Sequence, residues 1–396
     1  MPEIILKANR DKSVRRLHPW IFSGAVARIT GEPQNGETVD VISATGDFLA
    51  KAAVNPKSNI VGRIWTWDIT EQVNEHFLES RLIRAVESRN KLNNWFHTDA
   101  IRLVHGESDG LPGFILDKYG DAFVVQISTA GIEFWKELLI QLIIKNTGAK
   151  LLYERSDLDV RELEGLPQFK GPLHGRLSTN FITIQENDLI YNVDIINGHK
   201  TGFYLDQREN RLIARQLAHG LKVLDCFSYT GGFAVNALAG NAESVTLVDT
   251  SSKALVTAQS NIVINNLSME KVNLIELDVF GYLRTLRDVG ESYDMIILDP
   301  PKFAPTSAQV ERASRAYKDI NLLALKILRP GGYLMTFSCS GGVSEDLFQK
   351  IISGAALDAG VNAVILKRMH QAIDHPVAVN FPEGAYLKGF LVQKRM

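Results

Sequence analysis

Val223-Leu224-Asp225-Cys226-Phe227-Ser228-Tyr229-Thr230-Gly231-Gly232-Phe233 reads as an apolar strand ending in an acid, a glycine-bearing turn, and the start of a helix. A strand–turn–helix of this kind lets a ligand approach backbone amides at the carboxyl edge of a sheet. From about residue 190 onward the same alternation repeats, with strands expected at Val223–Asp225, Val245–Asp249, Asn273–Leu277, Met295–Leu298, Tyr333–Phe337, Ala363–Lys367 and Gly389–Gln393. Helices fill the gaps. Ser251 or Ser252 caps one whose apolar face is Ala254, Leu255, Ala258 and Ile262. Strands alternating with helices predict a doubly wound, Rossmann-like α/β sheet.

Three acids stand at successive strand ends. Asp249 closes the strand after Asp225, where a carboxylate can take ribose hydroxyls, and Asp278 closes the third, followed by Val279 and Phe280 that can flank an adenine. A dinucleotide site would use G-x-G-x-x-G to seat a pyrophosphate on a helix N-terminus, and that motif is absent. Asp225 would repel a phosphate, whereas S-adenosylmethionine offers an ammonium and a sulfonium. The charges therefore select that methyl donor. The competing reading, helix N-capping, accounts more readily for one of these acids than for all three. Upstream, Gly198-His199-Lys200-Thr201-Gly202-Phe203-Tyr204-Leu205-Asp206-Gln207-Arg208 supplies glycines and hydrogen-bonding side chains for a lid.

The fourth strand ends in Asp299-Pro300-Pro301-Lys302-Phe303, where two prolines fix the backbone and aim Asp299 beside the cofactor. The fifth ends in Phe337-Ser338-Cys339-Ser340-Gly341-Gly342, so a cysteine emerges at the ligand-binding edge. A lone cysteine is more often a packing residue. Its position raises Cys339 to a candidate nucleophile. C5 of a pyrimidine is too weak to take a methyl group directly, and a thiolate adding at C6 makes it enamine-like. Asp299 would then hydrogen-bond the N3/N4 edge. Cys226, inside the cofactor turn, reads as a packing residue.

Residues 1–75 read as short strands between turns and predict a small β-rich barrel, with the aromatics of His18-Pro19-Trp20 expected in its core. Residues 76–98 predict a helix. A second α/β module follows, in which Gly106-Glu107-Ser108-Asp109-Gly110-Leu111-Pro112-Gly113 is expected to be a hairpin loop rather than a catalytic cluster. The organisation expected is thus 1–75, 76–188 and 189–396.

The 396 residues carry a net charge of −2 with 45% hydrophobic residues, an ordinary globular composition that excludes disorder and coiled coil. Nothing reads as a signal peptide or membrane span, and two cysteines are too few for a disulfide framework or zinc site, so a reducing cytoplasm is expected. His370 and His375 lack further metal ligands. The near-zero charge is uneven: residues 1–63 carry nine Lys and Arg against six acids, leaving the excess negative charge to the remainder. A basic face for nucleic acid is compatible with that asymmetry.

Taken together, several stretches resemble the bacterial 23S ribosomal RNA large-subunit methyltransferase I family. They are Arg16–Ala25, Gly106–Gly113, Gly198–Gly202, Leu205–Arg208, Asp225–Phe233, Asp299–Phe303, Phe337–Gly341, His370–Pro376 and Tyr386–Gly389. The resemblance implies a PUA-like RNA-binding domain, a central α/β domain and a Rossmann-like class I methyltransferase domain. It implies S-adenosylmethionine as cofactor, 23S ribosomal RNA as partner, 5-methylcytidine as product and, by analogy, a homodimer without membrane attachment. Matching the motifs makes Cys339 and Asp299 catalytic. It assigns the cofactor to Thr201, Tyr204, Gln207, Asp225, Phe227, Ser228, Tyr229, Gly231, Asp249, Asp278, Val279 and Asp299. Where many RNA 5-methylcytosine enzymes carry a second cysteine after a proline, this chain has Asp299-Pro300-Pro301-Lys302. The group that assists elimination is therefore open. A guanine- or adenine-methylating RNA enzyme is the alternative, and it would need no Cys339. A catalytically inactive RNA-binding assembly factor would need neither the cysteine nor the three acids.

Overall fold

In the computed structural model, which describes residues 2–92, 95, 97–177, 181–303 and 309–395, the chain divides into two units. One is Met1–Glu186 with Val193–Leu205 and Ile373–Gly384; the other is Asn187–Asn192 with Asp206–Ala372 and Ala385–Met396.

The first unit opens with β1 (Glu3–Leu6), β2 (Trp20–Phe22), β3 (Val26–Thr30), β4 (Thr38–Ile42), β5 (Phe48–Val54) and β6 (Ile60–Thr66). They form one sheet in the order β2-β6-β5-β4-β1-β3. Alternation along β4 sends Val39 and Val41 inward to join Ile4, Leu6, Ile21 and Ile64. Trp20 is only half-buried, contrary to the core expected for it. The reason is that β2 is an edge strand, so Trp20 packs instead against Phe381 at 4.8 Å and donates its Nε1 proton to Glu107 at 2.7 Å.

Asn74 caps the next helix by accepting the Phe77 amide at 3.1 Å, and that helix spans Glu75–Asn90. It ends short of the expected residue 98, with Lys91 and Leu92 in a turn; residues 93, 94 and 96 lie outside the described residues. A second sheet follows, built from β7 (Ala100–His105), β8 (Phe114–Tyr119), β9 (Ala122–Ile127), β10 (Leu151–Ser156) and β11 (Phe169–His174) in the order β11-β10-β9-β8-β7. Residues 106–113 connect the antiparallel pair β7 and β8, the hairpin loop expected. Its acids are held by arginines, Glu107 by Arg63 at 3.2 Å and Asp109 by Arg89 at 2.6 and 2.8 Å.

Gly131, on the short helix Ala130–Phe134 that follows β9, approaches β5 closely. A Cβ there would lie 2.4 Å from the Ala53 Cβ and 3.0 Å from the Trp65 ring. Gly131→Ala is therefore expected to lower the stability of this unit by about 1–3 kcal/mol, read as an earlier urea midpoint at unchanged slope.

β12 (Ile182–Glu186) and β13 (Leu189–Val193) flank the turn at which the chain passes into the second unit. There the seven expected strands form as β14 (Lys222–Cys226), β15 (Ser244–Asp249), β16 (Val272–Glu276), β17 (Tyr293–Leu298), β18 (Leu328–Ser338), β19 (Ala363–Met369) and β20 (Lys388–Lys394). Their order is β16-β15-β14-β17-β18-β20-β19. The first five run parallel, and β20 inserts antiparallel between β18 and β19. Sequence order reverses between β14 and β17, the switch point at which open α/β sheets bind ligands. No helix among the described residues is long and apolar enough to cross a membrane.

Candidate active site

The turn after β14 is built from unusual backbone. Phe227 (φ 60°), Tyr229 (φ 47°) and Gly231 (φ 76°) are all left-handed within five residues. Two of them carry side chains, which costs about 1–3 kcal/mol each unless the surroundings hold them. The Ser228 amide donates to the Val248 carbonyl at 3.1 Å, and the Tyr229 amide to Asp249 Oδ2 at 2.9 Å. Asn261, buried on the helix Ser252–Ile264, donates to the Thr230 carbonyl at 3.0 Å. Gly231 cannot be replaced freely, because a Cβ there would come within 2.9 Å of the Ala258 Cβ.

Two of the three strand-end carboxylates, Asp225 and Asp249, stand at this turn. Asp225 is buried and accepts the Ala234 amide at 3.1 Å. Burial, with the neighbouring charges of Asp299 and Asp249, pushes its pKa well above the ordinary carboxylate value. Asp249 also accepts the Ser251 amide at 2.9 Å. Asp278 is farther out, an exposed N-cap that accepts the Gly281 amide at 2.8 Å on the edge-strand side. Val279 is packed into the apolar core. Buried beside the turn are two hydroxyls, Ser228 Oγ and Thr230 Oγ1, without a partner among the described residues. A buried acid with two further carboxylates near it, and two unused buried hydroxyls, fit a ligand that brings positive charge and polar groups, as S-adenosylmethionine does.

The Asp299 turn follows β17, and Cys339 follows the adjacent β18. Cys339 is partly exposed, with Sγ 3.9 Å from the Pro300 carbonyl oxygen. Phe303, at the end of the Asp299 turn, packs with Tyr317 at 4.8 Å, Phe280 at 5.9 Å and Phe227 at 6.5 Å. Cys226 is fully buried in the core, as its packing role requires.

Thr201 and Tyr204 belong to the first unit. The Thr201 hydroxyl donates to Asp117 Oδ2 at 2.7 Å and lies 2.8 Å from the Tyr119 hydroxyl, while Tyr204 lies 3.3 Å from His199 Nδ1. Gln207, in the second unit, accepts from Asn210 at 2.6 Å.

Sequence reading gave no role to two residues around the cysteine. Tyr317 reaches Ser340 Oγ at 3.0 Å, and Lys388 donates to the carbonyls of Ser340 at 2.8 Å and Tyr386 at 2.9 Å. No local pattern marks them, because strand pairing and helix packing bring them there.

Residues 4–67 match a family described as a PUA-like domain, and residues 174–371 match S-adenosylmethionine-dependent methyltransferases. A "Ribosomal RNA large subunit methyltransferase I" from Klebsiella pneumoniae is 47% identical over 98% of this chain and 97% of its own. One from Escherichia coli is 46% identical over 98% of each chain. The chain belongs to the ribosomal RNA large subunit methyltransferase I family. Membership makes it an S-adenosylmethionine-dependent methyltransferase, with a PUA-like N-terminal domain and a Rossmann-like methyltransferase sheet. The fold extends to more distant chains. A structure from Streptococcus mutans, described as a candidate SAM-dependent methyltransferase, is similar with TM-score 0.87 at 24% identity, covering 99% of this chain and 100% of that one. A methyltransferase structure complexed with SAH gives TM-score 0.88 at the same 24% identity and coverage.

Proposed function

We propose that this chain methylates C5 of a cytosine in 23S ribosomal RNA, with Cys339 bonding covalently to C6 during the reaction. The observation that carries this reading is the cysteine at the end of β18, 3.9 Å from the backbone of the Asp299 turn on β17. Supporting it is the ribosomal RNA named in the curated relatives. On this reading residues 1–75 bind RNA, 76–188 form a central domain, and 189–396 carry the chemistry.

When bound, S-adenosylmethionine supplies an electrophilic methyl group on a sulfonium, which C5 takes up. Asp225 would meet the positive charge of the cofactor, Asp249 would take ribose hydroxyls, and Asp278 with Val279 would border the adenine. The Phe227–Gly231 turn contributes backbone amides, and Ser228 a hydroxyl. Thr201, Tyr204 and Gln207 complete the assigned contacts from the preceding loop. Cys339, as thiolate, adds its electron pair to C6, and the displaced ring electrons make C5 nucleophilic. Asp299 hydrogen-bonds the N3/N4 edge and stabilises that adduct. After methylation a base removes the C5 proton, the ring double bond re-forms, and the C6–S bond breaks to return the thiolate.

Mass analysis of nucleosides from ribosomal RNA of cells with and without the gene tests the assignment. One 5-methylcytidine is expected to disappear. Loss of a methylated guanosine or adenosine instead would overturn it.

A further inference from the structure

We infer that Lys388 is a positioning residue for the reaction: its buried ammonium stabilises the Cys339 thiolate and holds that sulfur ready to add to the base. The inference rests on the reading of Cys339 as nucleophile and adds what activates it.

Lys388 opens β20, whose antiparallel register pairs Lys388 with Ser338, the residue before the cysteine. Across that pairing its side chain turns toward the backbone that follows Cys339. It is 6% exposed, and two of its three N–H donors are taken by the carbonyls of Ser340 and Tyr386. Both acceptors are neutral. They orient the ammonium without cancelling its charge, and a buried ammonium lacking a counter-charge is costly. The adjacent strand places Gly389 against the Phe337 ring, where a Cβ would lie 2.5 Å from a ring carbon. Close approach of β20 to β18 is thus built into the sequence, and with it the reach of Lys388.

Among the described residues, the charged and titratable groups that face Lys388 are Cys339, Lys302 and Glu345. Lys302 is a cation and disfavours the ammonium. Glu345 favours it, but that carboxylate is bonded to Arg368, with His370 at 3.8 Å. Cys339, once ionised, is the remaining anion, and it interacts favourably with the ammonium. Burial lowers the Lys388 pKa, whereas the thiolate raises it. By reciprocity the ammonium lowers the pKa of the thiol. On the other side of the cysteine, Tyr317 contributes no charge near neutral pH, because burial raises its pKa above the ordinary value.

The test is the pH dependence of Cys339 alkylation by iodoacetamide in the full-length protein, followed by mass spectrometry of the Cys339 peptide. Cys226 is fully buried and is resolved as a separate peptide. The wild-type midpoint is expected below the ordinary thiol value of about 8.5. Lys388→Met is expected to raise it by about one pH unit, making alkylation near pH 7 up to about tenfold slower, while Lys388→Arg keeps the low midpoint. The pH profile of kcat for RNA methylation should move upward in parallel in Lys388→Met, with KM for RNA unchanged. A wild-type midpoint at or above the ordinary value overturns the inference, and this reading needs no variant to fold. So does a Lys388→Met protein of unchanged circular dichroism with the wild-type midpoint. Turnover retained in Cys339→Ala instead overturns the nucleophile reading, and with it the catalytic purpose of Lys388, even where the midpoint shifts as expected.

Discussion

Cys339→Ala is expected to lower the kcat for methyl transfer by at least about 10⁴-fold, while S-adenosylmethionine binding is retained. Removing the thiol deletes the only group assigned to raise the nucleophilicity of C5. The reaction then has no alternative route through this site. The acids assigned to the cofactor stand on other strands: Asp225 ends the β14 side and Asp249 the β15 side, whereas Cys339 follows β18. Cys339→Ser should be comparably inactive, since a hydroxyl does not ionise near neutral pH. Single-turnover transfer from labelled cofactor measures the chemical step, and calorimetric titration of cofactor measures binding separately. Turnover near the wild-type rate in either variant would remove Cys339 from the mechanism.

The second large effect concerns Asp225, whose substitution should separate stability from binding. Asp225→Asn keeps an acceptor for the Ala234 amide and removes a buried ionisable group. Burial and the nearby Asp299 and Asp249 charges raise the folded-state pKa of Asp225 far above its unfolded value. A raised carboxyl pKa means that the folded state favours the proton. The associated stability is therefore complete below about pH 4 and is lost as pH rises toward the folded pKa. Asp225→Asn is permanently neutral and escapes this loss. Without cofactor, the variant should thus melt above wild type at neutral pH, and the gap should shrink as pH falls toward 4. Cofactor affinity should move the other way, weakening by roughly 10–100-fold because a charged partner of the ligand is gone. Melting curves across pH, paired with cofactor titrations, read both effects. Wild-type affinity in Asp225→Asn would remove this acid from the cofactor site.

These two residues also mark how far local pattern reaches. The strands of the second unit appear at the expected places because apolar runs, strand-end acids and intervening helical faces are local features. Asp225, Asp299 and Cys339 were visible for the same reason. The first unit was harder to read. Trp20 looks like core in sequence, yet its edge strand leaves it half-buried and bonded to Glu107 from a distant loop. The helix expected to reach residue 98 ends at Asn90. Asn261 lies inside a helix where nothing in the sequence signals that its amide holds the Thr230 carbonyl.

By itself, then, the sequence determined the doubly wound sheet of the second unit, the glycine-bearing turn after β14, and which acids and cysteine stand at strand ends. Apolar periodicity and turn chemistry act within a few residues, so they can be read there. Only the tertiary structure decided what surrounds those groups. Reversal of strand order puts Asp225 beside the Asp299 turn, and burial among carboxylates raises its pKa. Insertion of β20 beside β18 delivers Lys388 to Cys339 from far along the chain. Charge and desolvation act through space, and no sequence pattern records which distant strand will be the neighbour.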